Sequence, residues 1–131
     1  KNKNMDIIII SSDDDFTQLL NKNIKIIDFK KKVFNQNEEK QSKLLLYKKI
    51  LLGDCSDNIP SVLPKDRKIL SLKRRKKILE DHKELTLFLN ENPQYLKQYE
   101  INKKLIDFNY MPNNIIKKIK EKIPIKELLI D

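Results

Sequence analysis

The chain has one glycine, one cysteine and one histidine in 131 residues. The lone cysteine, Cys55, excludes an internal disulfide and suits a reducing compartment. With His82 and Cys55 each single, there is no cluster of soft ligands to hold zinc. One glycine, Gly53, and 36% charged residues favour helix over a loop-rich or strand-rich fold. Long apolar runs are missing as well. Ile7 to Ile10 is a typical one, far short of the ~20 residues of a membrane span. The opening Lys1-Asn2-Lys3-Asn4 lacks the apolar stretch of a secretion signal. An intracellular protein, with no membrane partner, is therefore expected. No methionine opens the chain, so it is expected to begin mid-protein.

What is present is charge, unevenly placed. Apolar residues make up 39%, enough for the core of one domain or part of one, and the net charge is +9. Lys, Asn and Ile are all abundant, as AT-rich coding alone produces, so the total charge says less than its position. From Lys65 to Lys77 stand eight basic residues and one acid, and all three arginines of the chain, Arg67, Arg74 and Arg75, fall inside that window. Drift toward Lys does not cluster Arg, whereas a face that meets phosphates does. A solvated helix face is the plain alternative.

Periodicity divides the chain near residue 38. Asp6 to Ser11, with four consecutive isoleucines, reads as a fully buried strand. Asp13 to Asp15 then form the loop at its carboxyl end, where open α/β sheets bind ligands. One or two helical turns over Phe16 to Leu20, a strand from Ile24 to Phe29 and a short third strand near Lys30 to Val33 follow. From there the pattern is helical: about Gln41 to Leu52, capped by Ser42 or Asn37 and ended by Gly53; Leu72 to Asp81, with Leu72, Lys76, Ile78 and Leu79 inward; Leu85 to Leu89; Pro93 to Ile106; and Pro112 to Lys122, stopped by Pro124. The expected class is α/β: residues 1–37 as the edge of a mostly parallel sheet, and residues 38–131 as an all-helical region. Two or three strands do not make a stable doubly wound sheet alone. The remaining strands are expected upstream of Lys1 or in a partner chain.

Carboxylates crowd two places in this basic chain, Asp13-Asp14-Asp15 and Asp54 to Asp57. If the chain stays extended past the first strand, Asp13 and Asp15 point the same way. On a helical turn, Asp54 and Asp57 share a face. Four such groups repel unless a cation sits among them, and oxygen-only ligands favour Mg²⁺ or Mn²⁺. Two ions about 4 Å apart suit phosphodiester hydrolysis. The bland readings stay open at this point: Asp13 to Asp15 as a helix cap, and Asp54 and Asp57 as turn formers around Asn58 and Pro60.

Two motifs in order carry a resemblance. Ile9-Ile10-Ser11-Ser12-Asp13-Asp14-Asp15-Phe16-Thr17-Gln18-Leu19, followed by Gly53-Asp54-Cys55-Ser56-Asp57-Asn58-Ile59-Pro60, resembles the 5′ nuclease family of flap endonucleases and 5′-3′ exonucleases. The similarity is strong over residues 5–60 and weaker over residues 100–118, where Leu105-Ile106-Asp107-Phe108-Asn109-Tyr110-Met111-Pro112 is similar to the carboxy-terminal region of the phage branch. The resemblance implies a metal-dependent nuclease acting on double-stranded DNA at 5′ flaps, nicks or primer ends. It implies Asp13, Asp15 and Asp57 as catalytic metal ligands and Asp54 as a further acid on the metal, directly or through water. Asp14 sits at a variable position. Residues 42–79 resemble a helix-three-turn-helix element, with Lys65, Lys68, Lys73, Arg74 and Arg75 as phosphate contacts that position a duplex without reading its sequence. The family continues Ile-Pro-Gly-Val-x-Gly-Ile-Gly with a bound potassium ion. Here Ile59-Pro60-Ser61-Val62-Leu63-Pro64 has no glycine, which stands against the potassium site. The family's amino-terminal half, with further metal-binding acids, is not in this chain. A non-catalytic duplex-binding subunit or remnant of a split nuclease is the alternative.

Overall fold

The computed structural model describes residues 6–123, a mixed α/β arrangement with a small sheet first and helices after it. Strands β1 (Ile7–Ile10) and β2 (Ile24–Ile27) run parallel, joined through a 3₁₀ helix at Asp14–Leu19. Strand β3 (Val33–Phe34) pairs antiparallel with β2, so the order is β1-β2-β3. The β2–β3 turn closes on Asp28, whose carboxylate accepts the Lys32 amide at 2.8 Å while Lys31 takes a left-handed φ of 65°.

One expectation fails here. β1 is not buried: Ile7, Ile8 and Ile10 are 44%, 61% and 69% exposed, and only Ile9 is partly covered. The isoleucine run specifies a strand made to be covered, and among the described residues no layer covers it. β2 carries the buried residue of the sheet, Ile26, with Leu20 buried beside the strand entry.

The helices are α1 (Glu39–Leu52), α2 (Leu72–Glu80), α3 (His82–Glu91), α4 (Leu96–Ile106) and α5 (Asn113–Lys122). The entry to α1 is set neither by Ser42 nor by Asn37. Asn35 and Glu38 form a reciprocal capping box that starts a short 3₁₀ turn leading into the helix. Ser42 instead lies inside α1 with its hydroxyl buried and unpaired among the described residues. Ser71 caps α2 by accepting the Arg74 amide, and Asp81 caps α3 by accepting the Lys83 amide. Asp81 breaks the chain between two short helices, so α3 begins earlier than expected. His82 is its first residue, directly after the Asp81 that ends α2, and lies against Tyr47 with ring centroids 4.0 Å apart. Pro93 opens a 3₁₀ turn that feeds α4. The expected stop at Pro124 lies outside the described residues.

The core belongs to the helical region. Tyr47 and Leu51 of α1, Val62, Leu63 and Leu70 of the connection, Ile78 of α2, and Leu85, Phe88 and Leu89 of α3 form one cluster, with Tyr95 and Tyr99 packed on it. Tyr95 stacks on Phe88 at 5.5 Å. Leu72 and Lys76 of α2 face outward, against expectation, whereas Ile78 is buried and Leu79 packs against the core as expected. Leu44, Leu45 and Leu52 of α1 are likewise outside. The buried Tyr47 hydroxyl donates to the Ile78 carbonyl at 2.6 Å and so satisfies one of the free acceptors at the end of α2. Burial, helped by Tyr99 and Asp81, pushes that hydroxyl up to about 12.

Candidate functional site

Both acidic segments are short turns fixed by their own side chains. Asp13 caps the 3₁₀ helix, its carboxylate accepting the Asp15 amide at 2.9 Å, while its own amide donates to the Ser11 hydroxyl at 3.1 Å. The cap ends the extended conformation at residue 13, so Asp13 and Asp15 do not project as a strand pair. The second segment begins at Gly53, which ends α1 with φ 75° and ψ −174°, a conformation open to glycine. Asp54 and Ile59 then exchange backbone hydrogen bonds of 2.9 and 2.8 Å. They close a tight loop over Cys55 to Asn58. Asn58 takes a left-handed φ of 56°, which its short amide side chain tolerates. This closed loop, not a helical turn, sets the positions of Asp54 and Asp57.

The two segments meet on one ammonium. Lys49, on the last turns of α1, donates to Asp15 at 2.6 Å and to Asp54 at 2.8 Å. The other oxygen of Asp54 accepts the Ser56 amide at 2.9 Å and the Ser56 hydroxyl. Partial burial works to lower the Lys49 pKa, but its hydrogen bonds to Asp15 and Asp54 and their charges raise it above the usual lysine range. The bond from Lys49, then those from the Ser56 hydroxyl and amide, hold the Asp54 carboxyl far below the usual carboxylate range. A cavity of about 260 Å³ opens beside the pair, lined by Asp14, Asp15, Thr17, Gln18, Leu45, Leu46 and Lys49.

Of the four expected ligands, Asp15 and Asp54 therefore come together. Asp13 joins through the backbone of Asp15. Asp57 is exposed on the same loop as Asp54. Among the described residues no three Asp, Glu, His or Cys side chains gather closely enough to hold a metal ion. The donor chemistry suits a hard divalent ion, as the shared ammonium shows that one cation can reach both carboxylates. The number of ligands falls short, and further acids must complete such a site. Lys49 was not among the expected residues. It lies in a lysine-rich helix, and nothing in the sequence marks it from Lys48 beside it.

The linkage has a sign. Asp54, with its folded pKa lowered, contributes stability that is fully present above pH about 4 and is lost as pH falls. Lys49, with its folded pKa raised, contributes below pH about 10.5 and loses that contribution at higher pH. The melting-temperature gap between wild type and Asp54→Asn will therefore be widest between these limits and shrink steadily in acid. A gap that stays constant from pH about 6 to about 2 would show that the carboxylate charge contributes nothing.

The basic residues divide into two groups. Arg74 is engaged with Glu91 at 2.6 Å and lies over the Phe88 ring at 5.9 Å. Arg75 donates to the Pro64 carbonyl at 3.0 Å and braces the connection after the acidic loop. Lys65, Lys68 and Lys73 are exposed, and no ion pair engages them among the described residues. No helix of the described residues is long and apolar enough to cross a membrane.

No protein-family model matches the chain, and no curated protein matches it either.

Proposed function

We propose that this chain is the carboxy-terminal part of a metal-dependent 5′ nuclease, cutting DNA or RNA-primed DNA at flaps, nicks or primer ends. The observation that carries the reading is the meeting of Asp15 and Asp54, 39 positions apart in the chain, on the Lys49 ammonium. Two motifs that resemble one family's metal-binding segments thus converge in space. Asp13, Asp15, Asp54 and Asp57 would hold Mg²⁺ or Mn²⁺, two ions in all, together with acids supplied in cis or by a partner chain. Such ions supply activated water and stabilise the leaving oxygen. The chain's own residues set the carboxylate positions: Asp13 through its cap, Asp54 through Ser56 and the loop closure, and Asp15 through Lys49. α1, the connection and α2 form a helix-three-turn-helix grip on duplex phosphates. The missing glycines after Pro60 leave the potassium ion of that element outside the proposal. A non-catalytic duplex-binding subunit is the second reading, favoured by the neutralisation of Asp15 and Asp54 within the chain itself.

The test is cleavage of a 5′-flapped duplex by the intact protein, with and without Mg²⁺, alongside duplex binding at several salt concentrations. Mg²⁺-dependent cutting at the junction supports the nuclease; binding without cutting supports the subunit. Lys65→Gln, Lys68→Gln and Lys73→Gln together should weaken binding to every sequence alike. They should flatten the slope of log affinity against log salt by about 2 to 3, near 0.9 for each phosphate that is no longer neutralised. Weakening confined to some sequences would contradict a phosphate grip.

A further inference from the structure

We propose that Gln18 and Asn102 are positioning residues, which use α4 as a brace to hold the two acidic segments at the spacing where one ammonium reaches both. Asn102 is fully buried. Its amide donates to the Ile50 carbonyl at 2.9 Å and to the Pro60 carbonyl at 2.8 Å, while its oxygen accepts from Gln98 at 2.7 Å. It thereby ties α4 to α1 at the residue after Lys49 and to the exit of the Asp54 loop. Ile106 lies one helical turn further along the same face of α4. Its carbonyl accepts from the Gln18 amide at 3.0 Å, and the Phe108 amide donates back to Gln18 at 3.1 Å. Gln18 and Asp15 are three apart in a 3₁₀ helix, so they lie on one face of it. α4 thus grips the Asp54 segment through the Asn102 side chain and the Asp15 segment through the free Ile106 carbonyl at its end.

Each grip is two-sided. Asn102 uses both donors and its acceptor, and Gln18 uses one of each. A side chain that only filled space would need neither. Apart from the Gln98 bond within α4, these bonds join residues 42 to 90 positions apart, so local structure does not impose them. The inference rests on the nuclease reading only for the purpose of the two acids. The brace itself is a statement about their spacing.

The experiment follows the Lys49 ammonium by ¹H–¹⁵N NMR in the intact chain. Ammonium protons held by two carboxylates exchange slowly with water and give a resolved signal. Gln18→Met removes both hydrogen bonds at similar size, and Gln18 is only part-buried, so this variant is expected to fold. It should speed Lys49 proton exchange about tenfold, the scale of losing one charge-assisted hydrogen bond. Asn102→Leu should act in the same direction through Asp54. Tyr47→Phe, which breaks the bond to Ile78 elsewhere in the core, should leave the Lys49 signal unchanged. Unaltered exchange in Gln18→Met, or equal acceleration in Tyr47→Phe, would overturn the brace. In the cleavage assay, Gln18→Met should lower kcat with KM unchanged. A wild-type protein that binds duplex without cutting would remove the nuclease reading, and the NMR comparison would still decide the brace.

Discussion

Gly53→Ala is expected to melt on the order of 10 °C below wild type. The backbone at Gly53, φ 75° and ψ −174°, lies in a region essentially reserved for glycine, and another residue there costs about 1–3 kcal/mol from backbone strain alone. The steric problem is worse. A Cβ at this position would stand 2.3 Å from the Ile59 carbonyl oxygen and 2.6 Å from the Pro60 carbonyl carbon and oxygen. These are backbone atoms of a closed loop, so no side-chain rotation relieves the clash. Moving them breaks the Asp54–Ile59 hydrogen bonds and carries the Pro60 carbonyl away from Asn102. Gly53→Asn separates this account from a simpler one. Asn tolerates the left-handed helical region but not the extended ψ seen here, so it should be as damaging as Ala. Thermal denaturation of both variants decides it; a shift under about 2 °C in either would mean that the loop reshapes freely.

Asp57→Asn in the intact protein should lower cleavage by roughly 100-fold or more, with duplex affinity unchanged, if its carboxylate is a metal ligand. Asp57 is the cleanest of the four acids to test. Asp13 holds the cap and Asp54 holds Ser56 and Lys49, so replacing either disturbs the local fold as well as the charge. Asp57 is exposed, and its carboxylate accepts no hydrogen bond among the described residues. The exchange to Asn keeps its size and removes its charge. Melting temperature should stay within a degree or two of wild type, since surface changes away from structural contacts are usually small. Cleavage that survives the exchange would remove Asp57 from the chemistry. Cleavage abolished together with duplex binding would point to a role in the grip.

The sequence made the framework readable where chemistry is local. Gly53 marks the end of α1 because only glycine suits that backbone, and the prolines and the apolar spacing mark the later helices to within a few residues. The acidic segments were visible because carboxylates are conspicuous in a basic chain. What was hidden depends on distant partners. Lys49 gains its role from Asp15, 34 positions away, and Asn102 from carbonyls of residues 50 and 60. A buried Asn in a polar helix carries no periodic signature. The exposure of β1 has the same origin: four isoleucines show that a strand is suited to cover on both faces but not which segment supplies it. The arginines illustrate the reverse case. Their clustering was legible, yet Arg74 and Arg75 are partly engaged by Glu91 and Pro64, leaving the neighbouring lysines as the more accessible charges.

The uncovered β1 has a consequence for handling this chain. Among the described residues, this strand of four isoleucines lies at the rim of its sheet, with a row of unpaired backbone groups and two greasy faces. Such a rim templates strand addition from any neighbour that carries a similar segment, and the nearest such neighbour in a concentrated solution is another copy. Lysine at or beside the rim is the usual safeguard, and Ile7 to Ile10 contains none. The chain should turn from monomer to insoluble assembly as its concentration rises, at a rate set by β1 rather than by the stability of the helices.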